Sequence, residues 1–194
     1  CAPENLSTGS TPVLAAWPNV MIAEGDLCAL QNNLLRFLNV CAGDYLPLED
    51  VRAAMLLRAN SHLRGASGVR RELIERILVF LNNSVVPLVR NMGSIGASGD
   101  LAPLASITGA LVGADACFQV QMGGETMSCL TALQRLGLKP LTLGPKEGLG
   151  MVNGTSVMTG IAANCLYDAR RLIALALGFH ALIIQSLRGS NQSF

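Results

Sequence analysis

Apolar residues recur every three or four positions from Glu24 onward, with Leu27, Leu30, Leu34, Phe37 or Leu38, and Cys41 on one side of a helical wheel. This spacing predicts a first helix in which Leu34 and Leu38 lie one above the other on a face assigned to the core. Pro47-Leu48-Glu49-Asp50 marks a second start, with proline early and acids in the first turn, where the helix dipole favours them. That helix runs through Val51, Met55 and Ala59 to about Leu63. Gly65-Ala66-Ser67-Gly68 interrupts it, and Ser67 is expected to cap a third helix with the stripe Val69, Leu73, Ile77 and Leu81. Asn82-Asn83 loosens its end, and Pro87 kinks or restarts the chain. The small and apolar run Leu104 to Val112 suits a tightly packed buried helix. Phe118 to Met122 alternates with period two and, with Gly123-Gly124 and Glu125-Thr126-Met127, predicts one small hairpin. A short helix from Thr131 should end at Gly137, residues 139–148 are loop, and a long apolar helix runs from about Thr155 to Leu187. It is entered through residues 148–155. Residues 1–22 carry Pro3, Gly9, Pro12 and Trp17-Pro18 and show no period, so they are expected to be irregular. Five or six helices, one hairpin and no βαβ alternation make a mainly α chain.

Composition narrows the class. The chain has 194 residues, 51% of them hydrophobic and only 14% charged, with 14 basic and 13 acidic side chains and a formal charge of +1. It is long enough for one ordinary domain. A near-neutral charge gives no attraction for a polyanion, so neither nucleic acid nor an acidic membrane surface is expected as a partner. Mean hydropathy is +0.43. The most apolar run, Leu172 to Ile184, falls short of the roughly 20 residues of a spanning helix and contains His180, so helices buried in a larger assembly are expected instead. Six cysteines (Cys1, Cys28, Cys41, Cys117, Cys129, Cys165) form no CxxC, which predicts reduced thiols, no metal and a cytoplasmic setting. No secretory signal pattern stands at the start of the chain.

Candidate chemistry concentrates in Gly93-Ser-Ile-Gly-Ala-Ser-Gly-Asp-Leu-Ala-Pro103. Small residues before an acid and a proline let the backbone turn tightly before a helix. Within it lie Ala97, Ser98 and Gly99. A glycine nitrogen is the least hindered main-chain nucleophile, an alanine carbonyl is an accessible electrophile, and the serine between them can lose its hydroxyl as water. Pressed together, the three could cyclise and dehydrate to a conjugated five-membered ring. A second copy, Ala66-Ser67-Gly68, sits in an ordinary turn. The tripeptide alone therefore proves nothing, and a Gly-rich helix cap would explain either copy. Phosphate cradling by Gly93 to Gly99 is disfavoured, since no clear strand precedes the glycines and no Lys follows them.

The longer pattern resembles the aromatic amino acid ammonia-lyases and aminomutases. Gly93 to Leu104 looks like their signature, and Arg58-Ala-Asn-Ser-His-Leu-Arg-Gly-Ala-Ser-Gly-Val-Arg70, Pro145-Lys-Glu-Gly-Leu149 and Asn153-Gly-Thr-Ser-Val-Met-Thr159 look like further blocks in the same order. The similarity is greatest to bacterial phenylalanine ammonia-lyases. It implies a fumarase/aspartase-like helical bundle, incomplete here, with residues 23–194 as a partial lyase domain and an N-terminal half of a homotetrameric enzyme. It implies that Ala97, Ser98 and Gly99 mature into 4-methylideneimidazol-5-one, with no metal or nucleotide. Ser98 would then supply the carbon that adds the substrate amine, and the Asn153 amide would bond the ring oxygen as negative charge grows there. On its own, Asn153 is an Asx turn or a cap before the last helix.

Leu34 and Leu38 match aryl-pocket positions of the family. A tyrosine substrate would leave its phenol unpaired at Leu38, at a cost of about 1–3 kcal/mol, so L-phenylalanine is the expected substrate and trans-cinnamate the product. His62 and His180 match no proton-abstracting position and are expected to be satisfied structural histidines. Tyr45 and Tyr167 do not match the family's general-base Tyr, and residues 1–22 hold no Tyr. The family's carboxylate-binding Arg also has no matching position. Two other readings stand beside the lyase: an aminomutase with the same ring, and a catalytically inactive homologue acting as a helical assembly partner.

Overall fold

The computed structural model describes residues 27–96, 98–190 and 192. The expectation for residues 1–22 lies outside them. Seven helices and five short strands occur among the described residues, which makes the chain mainly α.

The centre of the molecule is the helix Leu101–Val112, whose residues from Ala102 onward are all buried. Its small side chains let neighbours approach closely. At Gly109 an added Cβ would clash with the ring of Phe118. Pro103 sits in the first turn, where its missing N–H costs nothing. Gly113, at φ 69°, ends the helix in the left-handed conformation. Numbered in chain order, this is α4. Around it lie α1 (Leu27–Leu38), α2 (Leu48–Leu63), α3 (Arg71–Asn82), α5 (Cys129–Arg135), α6 (Glu147–Val152) and α7 (Ser156–Ser186). Its packing partners are α1, α3, α5 and α6, while α2 packs on α3 and along the first part of α7.

The expected hairpin is β4 (Gln119–Met122) and β5 (Glu125–Ser128), paired antiparallel across Gly123 and Gly124, both at positive φ. Periodicity did not show three further strands. β2 (Val86–Pro87) joins β4 to make a three-stranded sheet, and β1 (Ala42–Tyr45) pairs with β3 (Arg90–Met92) through an irregular register. Strands of two to four residues are too short to display alternation.

Several expectations are corrected. On α1 the buried residues are Gln31 and Leu35, while Leu34 and Leu38 are half-buried against the core and Phe37 is exposed. The stripe is rotated because α1 lies between α4 and α6 and uses Gln31 to bind the latter. Ser67 does not cap α3. It is exposed, and the helix begins only at Arg71, after an extended Arg70 whose N–H and side chain bind Glu147. Residues 147–152 form α6, where a loop entering the last helix was expected. The short α5 starts at Cys129, two residues early, because the Ser128 hydroxyl accepts the Thr131 N–H at 3.2 Å. Cys28, Cys117 and Cys165 are exposed, and all five described cysteines are free thiols.

The 31 residues of α7 match the expected last helix. By length and composition residues 147–186 could cross a membrane. Asp168, Arg170 and Arg171 at its middle make that environment expensive, and its first turns are packed on α2. Beyond Ile161 it is largely exposed despite Leu166, Leu172, Ile173, Leu177, Phe179 and Leu182.

Candidate active site

Asp100 is the joint of the site. Its backbone carbonyl accepts the Leu104 N–H at 2.9 Å and so begins α4. Its side chain serves a different helix. Oδ2 accepts the N–H groups of Val157 at 3.0 Å and Met158 at 2.9 Å, which are free donors in the first turn of α7. Oδ1 accepts from the Ser94 hydroxyl at 2.9 Å, and that hydroxyl accepts the Gly96 N–H at 3.3 Å. One buried carboxylate thus ties the Gly-rich stretch to the start of the long helix. The positive ends of α4 and α7 both face this junction.

Beside it, Gly99 is pressed against the segment after α6. Its φ is 119°, and a Cβ there would stand 2.9 Å from both N and O of Gly154 and 3.0 Å from Asn153 Oδ1. The Asp100 N–H donates to the Gly154 carbonyl at 2.7 Å. The contrast with the other Ala-Ser-Gly is sharp. Gly68, at φ 64°, has nothing within 4 Å of its Cβ position, and residues 66–68 are all exposed.

The sequence-derived site residues fall into three groups. Gly99 and Asn153 are brought together, with Ser98 exposed beside them. Ala97 lies outside the described residues. Leu34 and Leu38 pack against the core on α1, the helix that Gln31 ties to α6 by accepting the Gly148 N–H at 3.0 Å, and no contact brings them to the junction among the described residues. Asn153 follows the C-terminus of α6 and does not cap α7, whose N-cap position is Thr155.

Two further tethers hold α6. Glu147 accepts from Arg70 Nε at 2.8 Å, Arg70 N–H at 3.0 Å and Gly144 N–H at 2.7 Å. Burial works against its charge, but the bonds from Arg70 and Gly144 outweigh it and hold the carboxyl below its usual range. At the other end, buried Arg58 on α2 donates to the carbonyls of Gly150, Met151 and Asn153. One turn further, His62 is 3% exposed and both its ring nitrogens lack a partner among the described residues. Burial first, and the Arg58 guanidinium second, push its pKa down to about 4. The expected partners of His62 are not found among the described residues, and His180 is exposed on α7. Sequence reasoning missed the tethering roles of Asp100, Arg58 and Glu147. A signal existed for Arg58 and His62, which occupy apolar-stripe positions after Val51 and Met55.

The aromatic amino acid lyase family profile matches residues 16–194. The chain belongs to the aromatic amino acid lyase family. It is 60% identical over 186 residues to phenylalanine ammonia-lyase of Nostoc punctiforme, covering 96% of this chain and 33% of that one. It is 41% identical to histidine ammonia-lyase of Caldanaerobacter subterraneus, covering 96% and 36%. Among solved structures, Pantoea agglomerans phenylalanine aminomutase superposes with a TM-score of 0.83 at 32% identity, over 95% of this chain and 35% of that one. The chain spans about a third of the length of the curated relatives it matches. In this member of the aromatic amino acid lyase family, the stretch Gly93 to Pro103 and the segment Asn153 to Thr159 are the two that meet at Gly99 and Gly154.

The junction fits a ring formed from the chain itself. Ring closure requires an unhindered nitrogen at residue 99, and the structure leaves no space for a side chain there. Among the described residues no group of three or more His, Cys, Asp or Glu is placed to hold a metal ion.

Proposed function

We propose that the whole protein is an ammonia-lyase that converts L-phenylalanine to trans-cinnamate and ammonia, using 4-methylideneimidazol-5-one made from Ala97, Ser98 and Gly99. The observation that carries this reading is the seating of Gly99 against Asn153 and Gly154, which the exposed second Ala-Ser-Gly lacks. The 60% identity to a phenylalanine ammonia-lyase supports the substrate.

When formed, the ring supplies an electrophile for the substrate amine. The chain's own residues prepare for it. Gly99 offers an unhindered nitrogen, and the loss of one water on condensation with the Ala97 carbonyl and a second from the Ser98 hydroxyl balances the maturation. Asn153 stands beside Gly99 with Oδ1 nearest. Turned about its Cβ–Cγ bond, its amide would offer the Nδ2 N–H where negative charge develops, reinforced by the positive helix ends of α4 and α7. Leu34 and Leu38 present apolar surface from α1 to the aryl group. An unpaired phenol at Leu38 would make L-tyrosine the poorer substrate by about tenfold or more.

The exposed apolar length of α7 is proposed to be covered by the rest of the protein and by other copies in a cytoplasmic homotetramer, which would also bring the base and the carboxylate-binding Arg that the family employs. A second reading, an aminomutase, is favoured by the likeness to phenylalanine aminomutase.

Intact mass of the complete protein tests the ring. Loss of two waters localised to the peptide spanning residues 93–103, abolished by Ser98→Ala and untouched by Ser67→Ala, is expected. An unmodified mass in folded protein overturns the reading. Product analysis with L-phenylalanine then separates cinnamate from β-phenylalanine.

A further inference from the structure

Helix α2 carries two polar side chains on its core face. Val51, Met55, Arg58 and His62 follow one stripe, and all four are buried. A buried guanidinium ordinarily pairs with a carboxylate, yet no carboxylate pairs with Arg58 among the described residues. It is satisfied by main chain. Nε donates to the Met151 carbonyl at 3.1 Å, and Nη2 donates to that of Asn153 at 3.0 Å and to that of Gly150. These carbonyls cluster at the end of α6, where they lack helical partners and carry the negative end of the helix dipole. The planar fork of arginine suits such a cluster, and a single ammonium point charge does not.

The consequence lies one residue further on. The Cβ position of Gly154 is filled by the Arg58 guanidinium, so a side chain there would have to push the guanidinium aside; the constraint is close approach and not a positive φ. The carbonyl of Gly154 accepts the Asp100 N–H, and its N and O stand 2.9 Å from where Gly99 would carry a Cβ. A contiguous path therefore runs from Arg58 through residues 150–154 to Gly99 and Asp100.

We propose that Arg58 is a positioning residue for the ring-forming tripeptide: by gripping the carbonyls of Gly150, Met151 and Asn153, it holds the Asn153 amide and the Gly154 backbone against Gly99. The inference rests on the ammonia-lyase reading above. Arg58 acts through Asn153 and Gly154 and is given no contact with substrate. Burial first, and the Arg58 charge second, keep the neighbouring His62 neutral, so two cations do not compete in one buried site.

The test uses the complete protein and compares the parent with Arg58→Leu, Arg58→Lys and Gly154→Ala. Leucine removes both charge and donors, lysine restores charge without the fork, and the alanine methyl pushes the guanidinium aside while the arginine itself is retained. Each is measured for two-water loss in the peptide spanning residues 93–103, for kcat and KM with L-phenylalanine, and for unfolding in urea. In folded Arg58→Leu and Gly154→Ala, ring formation should fall or kcat should drop about 100-fold with KM changed less than about threefold, since the lost geometry matters to the developing charge. Lysine should recover about tenfold over leucine. A solely structural cation would lower the urea midpoint and leave ring content and kcat alone. Folded Arg58→Leu or Gly154→Ala with full ring content and kcat within about threefold of the parent overturns the proposal. If Arg58→Leu does not fold, Gly154→Ala decides by the same criteria. A parent without the two-water loss defeats the ammonia-lyase reading and this one with it, whereas a ring-bearing parent with unaffected variants defeats only the positioning role.

Discussion

At residue 99 a single Cβ decides the chemistry. Gly99→Ala would place a methyl 2.9 Å from Gly154 N and O in a backbone conformation that L side chains rarely adopt. We expect this variant, in the complete protein, to lose the two-water mass change and at least about 100-fold in turnover, because the segment bearing Asn153 must retreat. Gly68→Ala is the control. Its methyl meets nothing within 4 Å, so only the positive φ of 64° is penalised. Its expected cost is about 1 kcal/mol in urea unfolding, with the ring intact. His62 gives a second residue-scale prediction. Its pKa is about 4 in the fold against 6.5 for the free side chain, so the unfolded chain binds more protons between those values. Stability is full above about pH 6.5 and falls as pH drops through that window. The urea midpoint should decline between about pH 6.5 and pH 5, and His62→Leu should flatten that decline. Glu147, whose pKa is lowered, contributes its loss only below the ordinary carboxylate value, so the two are separable.

At the scale of elements, the site is a meeting of helix ends. The start of α4, the start of α7 and the end of α6 converge, and each leaves main-chain groups unpaired. Asp100 satisfies the donors of α7 and Arg58 satisfies the acceptors of α6. Asp100→Ala should therefore cost about 2 kcal/mol by urea unfolding, from a lost cap that is also buried. It should also slow ring maturation, read as a growing fraction of unmodified mass. Glu147→Gln should loosen the start of α6, with a stability loss of about 2 kcal/mol, since the Arg70 guanidinium loses its charge-assisted partner.

At the scale of the whole molecule, α7 sets the terms. Its first turns are packed on α2, while Leu172, Ile173, Leu177 and Phe179 stand more than half exposed. An apolar surface of that length needs a cover. In the complete protein, Ile173→Lys with Leu177→Lys should shift the assembly to smaller species by light scattering. The 194-residue chain alone should self-associate. Retention of the parent's size by the double variant would remove α7 from the interface.

The periodicity of α2, α4 and α7, the Gly-Gly hairpin and the run Gly93 to Pro103 were legible in the sequence, because each is fixed by local spacing, turn chemistry or a long motif. The same local rules placed the α1 stripe one residue off, gave α3 a cap at Ser67 that it does not use, and left α6 inside a loop. Those outcomes depend on Gln31, Arg70 and Glu147 reaching partners 77 to 117 positions away. The sequence by itself determined which tripeptide could become an electrophile and which family blocks accompany it. Only the tertiary structure decided that Gly99 is pressed against Asn153 and Gly154 while Gly68 faces open space. Cyclisation chemistry depends on how closely the backbone is held, and that constraint comes from buried charges on other helices, which carry no local pattern.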